Sequence, residues 1–96
     1  MQLKRVVVTG LGTVNPLGND VQTYFANLDK GVSGACMIDR FDTTLFKSRF
    51  ACLVRDLNPE TFGFDRKEVR KTDKFTQYAV IAADEAVRDS RLNVEE

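Results

Sequence analysis

Two cysteines, a closely spaced pair of glycines and a cluster of cations are the features of this sequence whose residue types could do chemistry. A thiol becomes a nucleophile when a base, a cation or a helix N-terminus lowers its pKa. The sequence contains no histidine, so the Cys/His and Ser/His pairings and most transition-metal sites cannot be built from these residues alone. Cys52 lies inside the apolar run Phe50-Ala51-Cys52-Leu53-Val54, where an inert, buried thiol is expected, and Cys36 lies near Asp39, whose charge opposes a thiolate. Neither cysteine is expected to be catalytic. The pair also fits no disulfide framework and, without histidine, no zinc spacing.

Gly10-x-Gly12 after a β-branched run invites a dinucleotide-binding reading, in which glycines let the backbone approach a pyrophosphate at a helix N-terminus. The third glycine of that pattern would fall at position 15, which is Asn15. Pro16 follows, the next helix signal begins only near Asn19, and no second strand supplies the acidic ribose ligand. The alternative is a structural turn.

Arg66, Lys67, Arg70, Lys71 and Lys74 set five cations against Glu68 and Asp73 within nine residues. In a mostly helical segment Lys67, Arg70, Lys71 and Lys74 share one face, being three and four positions apart. Such a face is either a solvated helix surface or a docking site for an acidic partner. The rest of the chain gives no broad field, because fourteen basic residues balance fourteen acidic ones. Neither nucleic acid nor a membrane surface is therefore expected as a partner.

The elements that position these groups follow from local pattern. Arg5-Val6-Val7-Val8-Thr9 reads as a strand covered on both faces, an α/β signature. Val21, Tyr24, Phe25 and Leu28 mark one face of a helix, capped by Asn19 or Asp20 and stopped by Gly31. Residues 31–42 read as loop, and residues 50–54 as a short strand closed by Asn58-Pro59. Asp65 and Glu68 form a variant capping box for a short helix from Arg66, and Thr72 or Asp73 caps the next one. That last helix carries Phe75, Tyr78, Ala79, Ala82, Ala83, Ala86 and Val87 as its apolar stripe, with Asp84, Glu85, Arg88 and Asp89 on the other face. Its alanines predict close packing against a neighbour.

Ninety-six residues amount to about one small domain, and 43% hydrophobic with 29% charged residues is globular composition. The longest apolar run, 78–83, is far short of the ~20 residues of a bilayer span. The strand expected from Arg5 leaves no room for a signal or transit peptide, so the cytoplasm is the expected compartment.

Taken in order, Val6-Val7-Val8-Thr9-Gly10-Leu11-Gly12 with Pro16-x-Gly18-Asn19, Gly31-Val32-Ser33-Gly34, Arg40-Phe41-Asp42, Phe50-Ala51-Cys52 and the stretch from Arg66-Lys67-Glu68 to Gln77-Tyr78-Ala79 carry a resemblance. The whole chain resembles the amino-terminal part of β-ketoacyl-[acyl carrier protein] synthases, particularly the type II elongating enzyme. Departures are Asn15 for Ser or Thr, Ala35-Cys36 for Gly-Ile, Thr72 for Met, and Arg91 for the Gly of an Asp-x-Gly-Leu helix end. The resemblance implies the N-terminal part of a thiolase-like five-layer αβαβα fold, with residues 1–96 an incomplete portion of the ketosynthase domain. It implies decarboxylative Claisen condensation in fatty acid elongation, a cytoplasmic homodimer, acyl and malonyl thioester substrates, and no metal or organic cofactor. The family's catalytic cysteine, histidines and lysine are expected beyond Glu96, so no catalytic residue is assigned here. Lys67, Arg70 and Lys71 match the family's basic helix that docks the acidic acyl carrier protein. A non-catalytic, chain-length-determining partner subunit of polyketide systems, with the same fold, is the alternative implied.

Overall fold

A computed structural model describes residues 2–93. Residues 10–19 form an irregular, turn-rich segment that leads into helix α1, Val21–Asp29. Asp20 caps α1 by accepting the Thr23 N–H at 2.7 Å. The exit is a left-handed glycine: Gly31, at φ 70°, donates to the Leu28 carbonyl and Val32 donates to Asn27. These two bonds satisfy carbonyls that have no partner inside the helix. The expected stripe is partly covered, with Val21 and Tyr24 half-buried and Phe25 and Leu28 exposed.

Strands β1, Ala35–Met37, and β2, Phe50–Cys52, pair antiparallel with Ala35 opposite Cys52 and Cys36 opposite Ala51. β2 falls within the strand expected at 50–54. β1 corrects the reading of 31–42 as loop: its three residues carry little strand signal of their own and are extended by pairing with β2. A 3-10 turn, Pro59–Phe62, is followed by α2, Arg66–Lys71, and α3, Lys74–Ser90. α2 begins where the cap predicts, with Asp65 accepting the Glu68 N–H at 2.7 Å.

Residues 5–9 form no strand. Strand structure is a state of pairing, and no described segment runs beside these valines; Val6 is 89% and Val8 79% exposed. The packed face of α3 also differs from the alanine stripe. Gln77 and Ile81, each 4% exposed, are its buried residues, whereas Phe75 is 72% exposed and Val80 and Val87 also face outward. The inward line runs Gln77, Ile81 and Glu85, one residue every four, with half-buried Ala82 and Ala86 beside it, and reaches the surface at the exposed Asp89.

Those two alanines meet the glycine segment. A Cβ on Gly12 would lie 1.8 Å from the Ala82 carbonyl oxygen, and one on Gly10 would lie 2.2 Å from that of Ala86. Both glycines are therefore required by backbone approach to a helix. The radius of gyration is 17.1 Å, against about 12–13 Å for a compact chain of this length. The accessible surface of 8283 Å² likewise exceeds the ~5,500 Å² of a compact protein of this mass.

Candidate functional site

Lys67, Arg70 and Lys71 all lie on α2 and are exposed. Their spacing of three and four residues puts them on one helical face. Among the described residues the ion pairs are Arg66 with Glu60, at 3.7 Å, and Arg88 with Asp84; the three cations of the patch engage in neither. Arg70 and Lys71 also occupy the last turn, where positive charge complements the helix dipole. Lys74 does not join them as one helical face would require: the chain turns extended at Thr72, φ −110° and ψ 140°, and Lys74 begins the next helix.

The break at Thr72 is held by a side chain that sequence reasoning passes over. Gln77 Nε2 donates to the carbonyl oxygens of Val69 (3.3 Å) and Thr72 (3.2 Å) and to Thr72 Oγ1 (3.1 Å). The Thr72 hydroxyl in turn donates to the Glu68 carbonyl at 2.6 Å. The available signal is a polar residue in register with Ile81 and Glu85.

The second group that sequence reasoning does not place inward is acidic. Glu85 accepts the Thr13 N–H on Oε1 and the Val21 N–H on Oε2, both at 3.0 Å, and Asp89 accepts the Leu11 N–H at 3.0 Å. These carboxylates occupy the amides that a dinucleotide phosphate would need, and they carry the wrong charge for it. The turn 15–18 is closed separately by the reciprocal backbone bonds of Asn15 and Gly18, and Asn15 Oδ1 accepts the Leu17 N–H at 2.9 Å. The turn reading of Gly10-x-Gly12 therefore holds and the nucleotide reading does not. An open cleft of about 920 Å³ lies beside the clasp, between Asp20, Phe62, Ile81 and Arg88. Its charged side chains are already engaged: Asp20 caps α1, Glu85 and Asp89 hold the loop, and Arg88 pairs with Asp84, which raises the guanidinium pKa further; Asn19, also in its lining, keeps a buried Oδ1 without a hydrogen-bond partner among the described residues.

Cys52 is exposed rather than buried, because it lies on the face of the two-stranded sheet that it shares with the exposed Ala35, Met37 and Phe50. Cys36 is half-buried and stands on the opposite face of the sheet. Among the described residues no group of three or more His, Cys, Asp or Glu could hold a metal, and no helix is long and apolar enough to cross a membrane.

These elements have the arrangement of the amino-terminal part of a thiolase-like ketosynthase fold. The solved structure of "The ishigamide ketosynthase/chain length factor" superposes at a TM-score of 0.80 with 38% identity, over 93% of this chain and 22% of that one. Residues 3–96 match the model of the family described as "Beta-ketoacyl synthase, N-terminal domain", and the chain belongs to that family. It is 46% identical over 95 residues to a 3-oxoacyl-[acyl-carrier-protein] synthase 2 of Staphylococcus aureus (strain COL), covering 99% of this chain and 23% of the relative. The protein of that name in Vibrio cholerae is 44% identical over 96 residues, again 23% of its length. The chain thus spans under a quarter of the curated relatives it matches.

Proposed function

We propose that this chain is an incomplete, amino-terminal portion of a 3-oxoacyl-[acyl carrier protein] synthase, an acyltransferase of fatty acid elongation. The carrying observation is 44–46% identity over 95 or 96 residues to relatives bearing that name. The excess surface and the exposed valines support the incomplete reading, since residues patterned for a covered strand have nothing over them. On this reading the acyl group passes from its carrier thiol to an enzyme cysteine, releasing the free carrier. The malonyl thioester then loses carbon dioxide, and its carbanion attacks the acyl thioester, expelling the cysteine thiolate and forming the 3-oxoacyl product. No metal or organic cofactor takes part. The enzyme works in the cytoplasm as a homodimer.

The contribution proposed for this chain is recognition. Lys67, Arg70 and Lys71 on α2 receive the acidic surface of the acyl carrier protein, which presents both thioesters. Three exposed cations on one face, without an ion-pair partner among the described residues, in a chain with zero formal net charge support the assignment.

A second reading is favoured by the structural neighbour, whose name sets a chain length factor beside a ketosynthase. The protein would then be a non-catalytic partner subunit. The full-length protein, given acyl- and malonyl-carrier protein, decides between them. An enzyme releases one carbon dioxide per 3-oxoacyl product, and keeps its turnover when Cys36→Ser and Cys52→Ser are combined. A partner subunit yields product only when a separate cysteine-bearing ketosynthase is added.

A further inference from the structure

We propose that Gln77 is a positioning residue of the docking surface: its amide locks the joint between α2 and α3 and so sets the direction in which Lys67, Arg70 and Lys71 face. The inference rests on the docking reading. α2 has six residues, too few for a helix to hold its shape unaided. Its final carbonyls have no partner inside the helix, and α3 supplies one for Val69 and for the C-cap residue Thr72. Gln77 reaches the Val69 and Thr72 carbonyls and the Thr72 hydroxyl, and that hydroxyl bonds back to Glu68, so one buried amide ties the last turn of α2 to the first turn of α3. Gln77 is the buried polar side chain among the described residues.

The opposite end of α2 is held separately, against the Pro59–Phe62 turn. There the Asp65 cap and the Arg66–Glu60 pair are both exposed, and exposed pairs contribute little. Gln77 fixes the end of α2 that carries Arg70 and Lys71. Carrier recognition requires several charges to meet their partners together, so a loosened joint weakens docking while the cations themselves remain.

The test uses the full-length protein and reads the ratio of kcat/KM for carrier-bound thioester to kcat/KM for a small thioester of the same acyl group. A general loss of folded enzyme lowers both values and leaves the ratio alone. Gln77→Met keeps the side chain's length and removes its donors; the ratio is expected to fall about fivefold, equivalent to ~1 kcal/mol. Thr72→Val removes one leg of the lock, with an expected fall of about twofold. A variant reversing Lys67, Arg70 and Lys71 to Glu is run beside them. If the reversal lowers the ratio and Gln77→Met does not, the positioning role is overturned and docking stands. If neither lowers it, the docking reading falls and takes this inference with it. Should Gln77→Met fail to fold, Thr72→Val decides by the same ratio: a fall supports the role, and no change overturns it.

Discussion

At its amino-terminal end α3 offers a donor, the Gln77 amide, to the carbonyls where α2 stops; further along it offers acceptors, Glu85 and Asp89, to the amides of Leu11, Thr13 and Val21. Both are solutions to the same problem, backbone groups that no secondary structure satisfies. They differ in charge. The neutral amide leaves the field of the neighbouring cations intact, which suits a surface that must attract an acidic partner. The carboxylates place negative charge against loop amides, which fixes the glycine segment and closes it to anions. One helix thereby supports the proposed docking face at one end and a structural clasp at the other.

The clasp is the end where substitution has the larger effect. In the full-length protein Gly12→Ala forces a methyl group into the Ala82 carbonyl and is expected to cost ~3 kcal/mol, lowering the thermal midpoint and the soluble yield. An unchanged midpoint would show that segment and helix separate freely. Glu85→Gln retains one acceptor and turns an N–H toward the other loop amide, an expected loss of ~1–3 kcal/mol. Hydrogen exchange should then quicken at Thr13 or Val21 while the amides of α2 keep their rates. Acceleration spread equally over α2 would contradict the separation of the two ends.

Local signals make part of this legible in the sequence. Asp20, Gly31 and Asp65 act within their own turns, so the bounds of α1 and the start of α2 follow from composition alone. Pairing is a different matter. Val6, Val7 and Val8 have strand chemistry but no described neighbour, whereas Ala35-Cys36-Met37 has little and is extended because β2 lies beside it. The packed face of α3 departs from the alanine stripe because apolar periodicity is blind to polar residues that turn inward. Its inward line has polar residues at both ends, Gln77 and Glu85 with Asp89, and each faces backbone groups that hydrophobicity does not report. The cations of α2 are legible as a patch, but the break that excludes Lys74 depends on Thr72 turning extended.

The far end of α3 offers a smaller test. Arg91 takes the left-handed conformation, φ 58° and ψ 25°, where a side chain costs ~1–2 kcal/mol. Arg91→Gly is expected to raise stability by about 1 kcal/mol, read as a higher thermal midpoint with no change in carrier-protein use. A lower midpoint would mean that the Arg91 side chain contributes contacts outweighing the backbone cost.

The docking claim is tested most directly by one ratio, kcat/KM with carrier-bound thioester over kcat/KM with a small thioester, measured across a salt series. The proteins compared are the wild-type full-length protein and the Lys67→Glu, Arg70→Glu, Lys71→Glu variant. Each exposed pair contributes only ~0.2–1 kcal/mol, but reversing three adds repulsion, and ~1.4 kcal/mol is a factor of ten. The ratio is expected to be at least about tenfold lower in the variant at low salt. The difference should shrink as the screening length falls below ~8 Å. An identical ratio in the two proteins at every salt concentration would contradict the account and leave the cationic face of α2 a solvated helix surface.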